Sequence, residues 1–185
     1  IQEVRANTTP RMNVLDISGV SHLELKNSDI IAFLLSPGAA HKSPRIGELF
    51  LEHISECLDG NLKGRTIKQV RREQATSNNR YIDILIKTNQ GESIIIENKV
   101  WATDSKDQLK DYIAWSQEEN KAAPITLYLT PFGERPSEAS LPSEQSTILE
   151  KQKRFLCISY KEHILKCLND VSDEMSDSKQ ELLRS

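Results

Sequence analysis

The segment Tyr81-Ile-Asp-Ile-Leu-Ile-Lys-Thr88, Asn89-Gln90-Gly91, Glu92-Ser-Ile-Ile-Ile-Glu-Asn-Lys99 reads as two β-strands joined by a tight turn. Tyr81 to Thr88 alternates, with Ile82, Ile84 and Ile86 expected on one face, and Ser93 to Val100 holds the buried-type run Ile94-Ile95-Ile96. Gly91 suits the left-handed position that closes a three-residue hairpin loop, and Gln is a poor residue for positive φ. With that loop Thr88 faces Glu92, Asp83 faces Glu97 and Tyr81 faces Lys99. A two-residue loop would instead set Asp83 against Asn98 and scatter these groups. Because strand side chains alternate, Ile95, Glu97 and Lys99 share one face.

Three charged residues thus stand where a sheet core should be apolar. Burying charge is unfavourable unless the groups are paired or bind an ion. Two facing carboxylates repel each other unless a cation lies between them. An all-oxygen donor set with no His or Cys nearby suits Mg²⁺ or Mn²⁺. An ion so held polarises a phosphoryl oxygen and acidifies bound water, while Lys99 orients or deprotonates that water or stabilises charge on the phosphate. The chemistry expected is metal-assisted hydrolysis of a phosphodiester.

Working outward, Ser28 is a plausible N-cap for a helix through Leu35, stopped by Pro37. Ser43-Pro44 opens a second helix whose apolar residues run from Ile46 to Leu58, closed by Gly60. Strands are expected over 67–76, 125–129 and 155–159, and helices over about 104–119 and 160–169. Residues 131–150, with Pro131, Pro136 and Pro142, read as a long loop. The order α-α-β-β-β-α-β-β-α predicts an α/β fold, a mixed central sheet flanked by helices.

With 185 residues, 37% hydrophobic and 28% charged, the chain can bury one core. Residues 1–21 read as an arm or short element, 22–169 as the domain, and 170–185 as an acidic tail or linker. The start at Ile1 rather than Met suggests a piece of a longer chain. No apolar run approaches a membrane span, and no basic-then-apolar leader opens the sequence. Cys57, Cys157 and Cys167 are too scattered for a disulfide framework or zinc site and read as reduced core, which favours a cytoplasmic protein. Net charge is −3, yet Lys63, Arg65, Lys68, Arg71 and Arg72 fall within ten residues without an intervening acid. They form a candidate nucleic-acid-binding stripe, to be weighed against a solvated strand edge.

Asp83 followed by Glu97-Asn98-Lys99 resembles the signature of the PD-(D/E)xK nuclease superfamily, an acid on one strand and (D/E)-x-K on the next. Ile82 stands where the family name has proline. Gln108-Leu109-Lys110-Asp111-Tyr112 has the Q-x-x-x-Y form of RecB-like branches. Glu24, Ser28, His41 and the run Leu49-Phe50-Leu51 resemble the N-terminal region of an uncharacterised bacterial branch. The resemblance implies a restriction-endonuclease-like α-β-β-β-α-β core with a four-stranded sheet, and a Mg²⁺- or Mn²⁺-dependent nuclease acting on DNA. It implies that Asp83, Glu97 and the backbone carbonyl of Asn98 hold the metal, with Lys99 serving the attacking water and Gln108 reaching phosphate or water. Glu73 stands between a second-metal ligand and an ion-pair partner for Arg71 or Arg80. His41 and Tyr112 are accessory candidates; Glu48 reads as part of a solvated stripe, and Trp101 as a base-stacking or rim residue. Superfamily members often pair to cut both strands, so a homodimer is admitted. The alternatives are a catalytically inactive module of the same fold that binds nucleic acid or protein, and an enzyme acting on another phosphate ester.

Overall fold

The computed structural model describes residues 24–39, 45–100 and 103–173. Helices α1 (Glu24–Leu35) and α2 (Arg45–Cys57) precede strands β1 (Ile67–Ala75), β2 (Tyr81–Thr88) and β3 (Ser93–Asn98). Helix α3 (Gln108–Asn120), β4 (Ile125–Thr130), α4 (Ser143–Lys151) and β5 (Phe155–Ser159) follow. A π-helical segment, Tyr160–Leu165, then runs on as α-helix over 166–173. The five strands lie in sequence order in one sheet, not the four that the family resemblance implied. Strands β1, β2 and β3 form an antiparallel meander, and β4 and β5 join parallel to β3.

The hairpin forms with the three-residue loop. Gly91 has φ +91° and donates its N–H to the Thr88 carbonyl, while Thr88 N–H bonds the Glu92 carbonyl. Ile84 therefore pairs with Ile96, Leu85 with Ile95, Ile86 with Ile94 and Lys87 with Ser93. This register sends alternate residues of β2 and β3 into two separate cores. Ile84, Ile86, Ile94 and Ile96 pack with α1, α2 and Ile164 of the C-terminal helical segment. Leu85 and Ile95 pack with Leu109, Tyr112 and Ile113 of α3. A sheet covered on both faces explains why every residue of β3 and β4 is buried. Each fully buried isoleucine contributes about 2 kcal/mol of apolar burial.

Ile82 departs from the expected face. It packs with Leu85 and Tyr112 rather than with Ile84 and Ile86. Alternation breaks at Asp83, opposite which Glu73 of edge strand β1 takes a left-handed conformation (φ +47°). The β2–β3 ladder also ends at Ile84–Ile96, so the two strands part where the acids begin.

The largest departures from the sequence reading concern three helices. Helix α1 starts at Glu24, so Ser28 is an interior residue and not a cap. Helix α3 starts at Gln108 because Asp107 adopts φ +56°, which ends the preceding turn. The expected long loop contains α4, whose only fully buried position is Ser146. A helix lying mostly in water leaves no apolar period to read. Among the described residues, no helix is long and apolar enough to cross a membrane.

Candidate active site

The site forms where β2 and β3 separate. Glu97 is 1% exposed, and burial together with the neighbouring Asp83 charge pushes its carboxyl up to about 8. Its Oε1 accepts from Lys99 Nζ at 2.9 Å and from Gln108 Nε2 at 2.7 Å. Its Oε2 is buried with no hydrogen-bond partner among the described residues. Leaving such an atom unsatisfied costs on the order of 1–3 kcal/mol.

Asp83 is also held above the usual carboxylate range by burial, a shift opposed by the bond from the Asn98 N–H and by Lys99 and Arg72. That N–H reaches Asp83 Oδ2 at 2.9 Å, so the carboxylate takes the place of a ladder carbonyl where the strands part. For Lys99, burial works against the charge, but the Glu97 carboxylate outweighs it and the ammonium is held above its usual range.

Gln108 is oriented by its own helix start. Its Oε1 accepts from Ser105 N–H, leaving both amide hydrogens for Glu97 Oε1 and, at 3.0 Å, Tyr112 Oη. Tyr112 in turn donates to the Tyr81 carbonyl at 2.6 Å. One turn of α3 thereby joins the two strands that carry the acids.

Asn98 contributes its side chain as well as its backbone N–H. Its side chain is fully buried, with Nδ2 donating to Ser28 Oγ at 3.0 Å and to the Glu24 carbonyl at 3.2 Å. Its Oδ1 accepts from Tyr160 Oη at 2.6 Å. Glu24 Oε1 accepts from Val100 N–H, locking α1 against the strand end that carries Lys99. The sequence reading missed Tyr160, and Ser28 and Asn98 in these roles. An amide inside an otherwise apolar strand was the available signal for Asn98, whereas nothing local marked Tyr160.

Other expected residues are not gathered here. The basic stripe divides. Arg65 pairs with Glu92 at 2.6 Å beside the hairpin turn, the end of the sheet remote from Asp83. Lys63 and Arg65 line a cavity of about 890 Å³ there, together with Glu48, Glu52 and Glu56. Arg71, opposite Leu85, and Arg72, opposite Ile84, emerge on opposite faces because strand residues alternate. Lys68 is exposed. The five cations therefore do not form one surface.

Arg72 alone reaches the site, as a clamp. Its Nη1 donates to the Asp83 carbonyl, Nε pairs with Asp29 at 3.0 Å and Nη2 bonds the Leu25 carbonyl at 3.2 Å. Arg72→Ala is expected to lower unfolding free energy by about 1–3 kcal/mol in urea titrations. Arg72→Lys should recover only part, since an ammonium lacks the guanidinium fork.

Glu73 is exposed on the edge strand, while Arg71 bonds Gln74 and Arg80 pairs with Asp111. Among the described residues no three His, Cys, Asp or Glu side chains cluster as a metal site, so Glu73 does not complete one. His41 and Trp101 lie outside the described residues.

What remains at the centre is two carboxylates with a lysine alongside. The unsatisfied Glu97 Oε2, the burial that raises both acids, the Asp83 charge that raises Glu97 further and the all-oxygen chemistry fit a hard divalent cation.

Residues 12–184 match the family model described as the PD-(D/E)XK nuclease superfamily. No curated protein matches the sequence. Two solved structures are similar over part of the chain. A repair endonuclease from Pyrococcus abyssi has 16% identity and a TM-score of 0.34, covering 62% of this chain and 46% of its own. The EndoMS–dsDNA2 complex has 19% identity and a TM-score of 0.32, covering 60% of this chain and 43% of its own. The chain thus spans less than half the length of each.

Proposed function

Because the chain belongs to the PD-(D/E)XK nuclease superfamily, we propose that it is a divalent-metal-dependent phosphodiesterase acting on DNA, centred on Asp83, Glu97 and Lys99. The observation that carries this reading is Glu97: a fully buried carboxylate with one oxygen on Lys99 and Gln108 and the other without a partner. A purely structural ion pair would satisfy both oxygens. Asp83, Glu97 Oε2 and the Asn98 carbonyl would hold Mg²⁺ or Mn²⁺. When bound, that ion supplies Lewis-acid polarisation of the phosphate and an acidified water.

The protein's own groups do the rest. Lys99 stays protonated against Glu97, so it donates hydrogen bonds to the attacking water or to a phosphoryl oxygen gaining charge. Gln108 donates to Glu97 Oε1 and so fixes the orientation of the carboxylate, leaving Oε2 as the oxygen that would meet a cation. Asn98, clamped by Ser28 and Tyr160, fixes both the carbonyl on its own backbone and the Asp83 carboxylate on its N–H. DNA is the substrate class that superfamily membership suggests.

The direct test incubates the purified protein with single-stranded, duplex and nicked DNA in Mg²⁺, Mn²⁺ or EDTA. Cleavage in either metal and none in EDTA is expected. Cleavage undiminished by EDTA, or no cleavage of any form alongside no Mn²⁺ binding by calorimetry, overturns the reading.

A further inference from the structure

Beside Lys99 the structure displays a large apolar side chain in water. Phe132 is 86% exposed, the most exposed of the large hydrophobic residues described. It follows β4, whose C-terminal end lies beside that of β3 in parallel register, Asn98 against Leu129. Phe132 and Lys99 line one cleft of about 250 Å³, with Tyr128, Thr130, Glu134 and Arg135.

The loop that carries Phe132 is firmly built. Thr130 Oγ1 accepts the N–H groups of Gly133 and Glu134 at 2.8 and 2.7 Å. Glu134 Oε2 accepts the N–H of Phe132 itself at 3.2 Å. Gly133 takes φ +83°, and a Cβ there would sit 3.7 Å from Ser159. Arg135 is anchored by Glu150 at 2.8 Å. The three N–H bonds order the backbone, the ion pair holds the Arg135 side chain, and the ring stays 86% exposed. An ordered loop that holds an aromatic face in water beside Lys99 and Arg135, each paired with one carboxylate and still carrying further N–H donors, has the composition of a nucleotide subsite: N–H donors for phosphate, a ring for the base.

We propose that Phe132 stacks on an unpaired nucleobase next to the scissile phosphate, so that the preferred substrate carries single-stranded character at the cut: a single strand, a flap or a frayed end. This rests on the nuclease reading above and adds its substrate class. Within a duplex both faces of each base are already covered by neighbouring bases, so the ring meets a free face only where the strand is unpaired or ends.

The test pairs a Phe132 variant with a base deletion. Phe132→Ala is expected to weaken binding of a 2-aminopurine-labelled single strand about ten-fold in Ca²⁺, with loss of the stacking-induced fluorescence quench. It should raise KM for single-stranded cleavage in Mg²⁺ more than it lowers kcat. Removing the one base adjacent to the cut should weaken wild type by a similar factor and add nothing further in Phe132→Ala, as expected of two halves of one contact. Phe132→Tyr should behave as wild type, and Phe132→Leu, of similar bulk without a π face, as alanine. An unchanged thermal melt shows that the exposed position leaves the fold intact.

If wild type cleaves DNA but Phe132→Ala binds and cleaves single strands equally well, this inference falls and the nuclease reading stands. A wild-type preference for intact duplex over single strands has the same consequence. If wild type neither binds nor cleaves any oligonucleotide, both fall together.

Discussion

Replacing Glu97 with glutamine is expected to cut cleavage about a thousand-fold and abolish Mn²⁺ binding while making the metal-free protein more stable at pH 8. Glu97 is 1% exposed with its carboxyl raised to about 8, against an ordinary 4.5. Between these values the folded state binds the proton more tightly than the unfolded chain does. The stability this proton supplies is therefore fully present below about pH 4.5 and is lost as pH rises to about 8. Asp83, also raised, acts in the same direction. Glutamine keeps the shape and an oxygen for Lys99 and Gln108 but has no charge to desolvate.

In urea unfolding with EDTA, the difference between variant and wild type should grow by a few kcal/mol from pH 4.5 to pH 8. Mn²⁺ should erase much of that difference by stabilising wild type alone. Cleavage should fall by roughly three orders of magnitude, the scale of losing several kcal/mol of metal-centred transition-state stabilisation. A variant no more stable than wild type at pH 8 in EDTA would show that Glu97 carries no buried-charge penalty, removing the main reason to place a cation there.

The second large effect is expected at Lys99. Lys99→Met keeps an unbranched stem of similar length in a partly buried position but removes the ammonium that lies 2.9 Å from Glu97. If the ammonium acts on the water or phosphate, kcat should drop about 10²–10⁴-fold, and Mn²⁺ affinity, set by the carboxylates, should change only a few-fold. Single-turnover cleavage with calorimetric Mn²⁺ titration separates the two effects. Retention of activity within ten-fold of wild type would remove Lys99 from the chemistry. Loss of metal binding in parallel would instead make it a structural support for Glu97.

Much of this centre was legible because a hairpin is a local object. Gly91 selects the turn, the turn selects the register, and the register carries residues 93–96 to residues 84–87 without reference to the rest of the chain. Charges inside apolar strands then stand out against the burial pattern. The limits have equally physical causes. Period-two reading assumed that β2 alternates throughout, but the left-handed Glu73 on β1 and the end of the β2–β3 ladder redirect Ile82 into the other core. Helix α4 was invisible because its surface is mostly wet, and hydrophobic periodicity reports only what is buried. The basic stripe looked continuous because sequence adjacency was read as spatial adjacency. On a strand, Arg71 and Arg72 face opposite ways, and Arg65 is spent on Glu92 at the far end.

By itself the sequence determined the order of the strands and of every helix but α4, the hairpin register, and the presence of two acids and a lysine near its open end, because turn chemistry and strand alternation act over a few residues. Only the tertiary structure decided which polar groups hold that site in shape. Ser28 and Glu24 from α1, Gln108 and Tyr112 from α3, and Tyr160 beyond β5 converge on one strand end from across the chain. Their partners are chosen by the packing of helices on both faces of the sheet, a long-range geometry that no local pattern encodes.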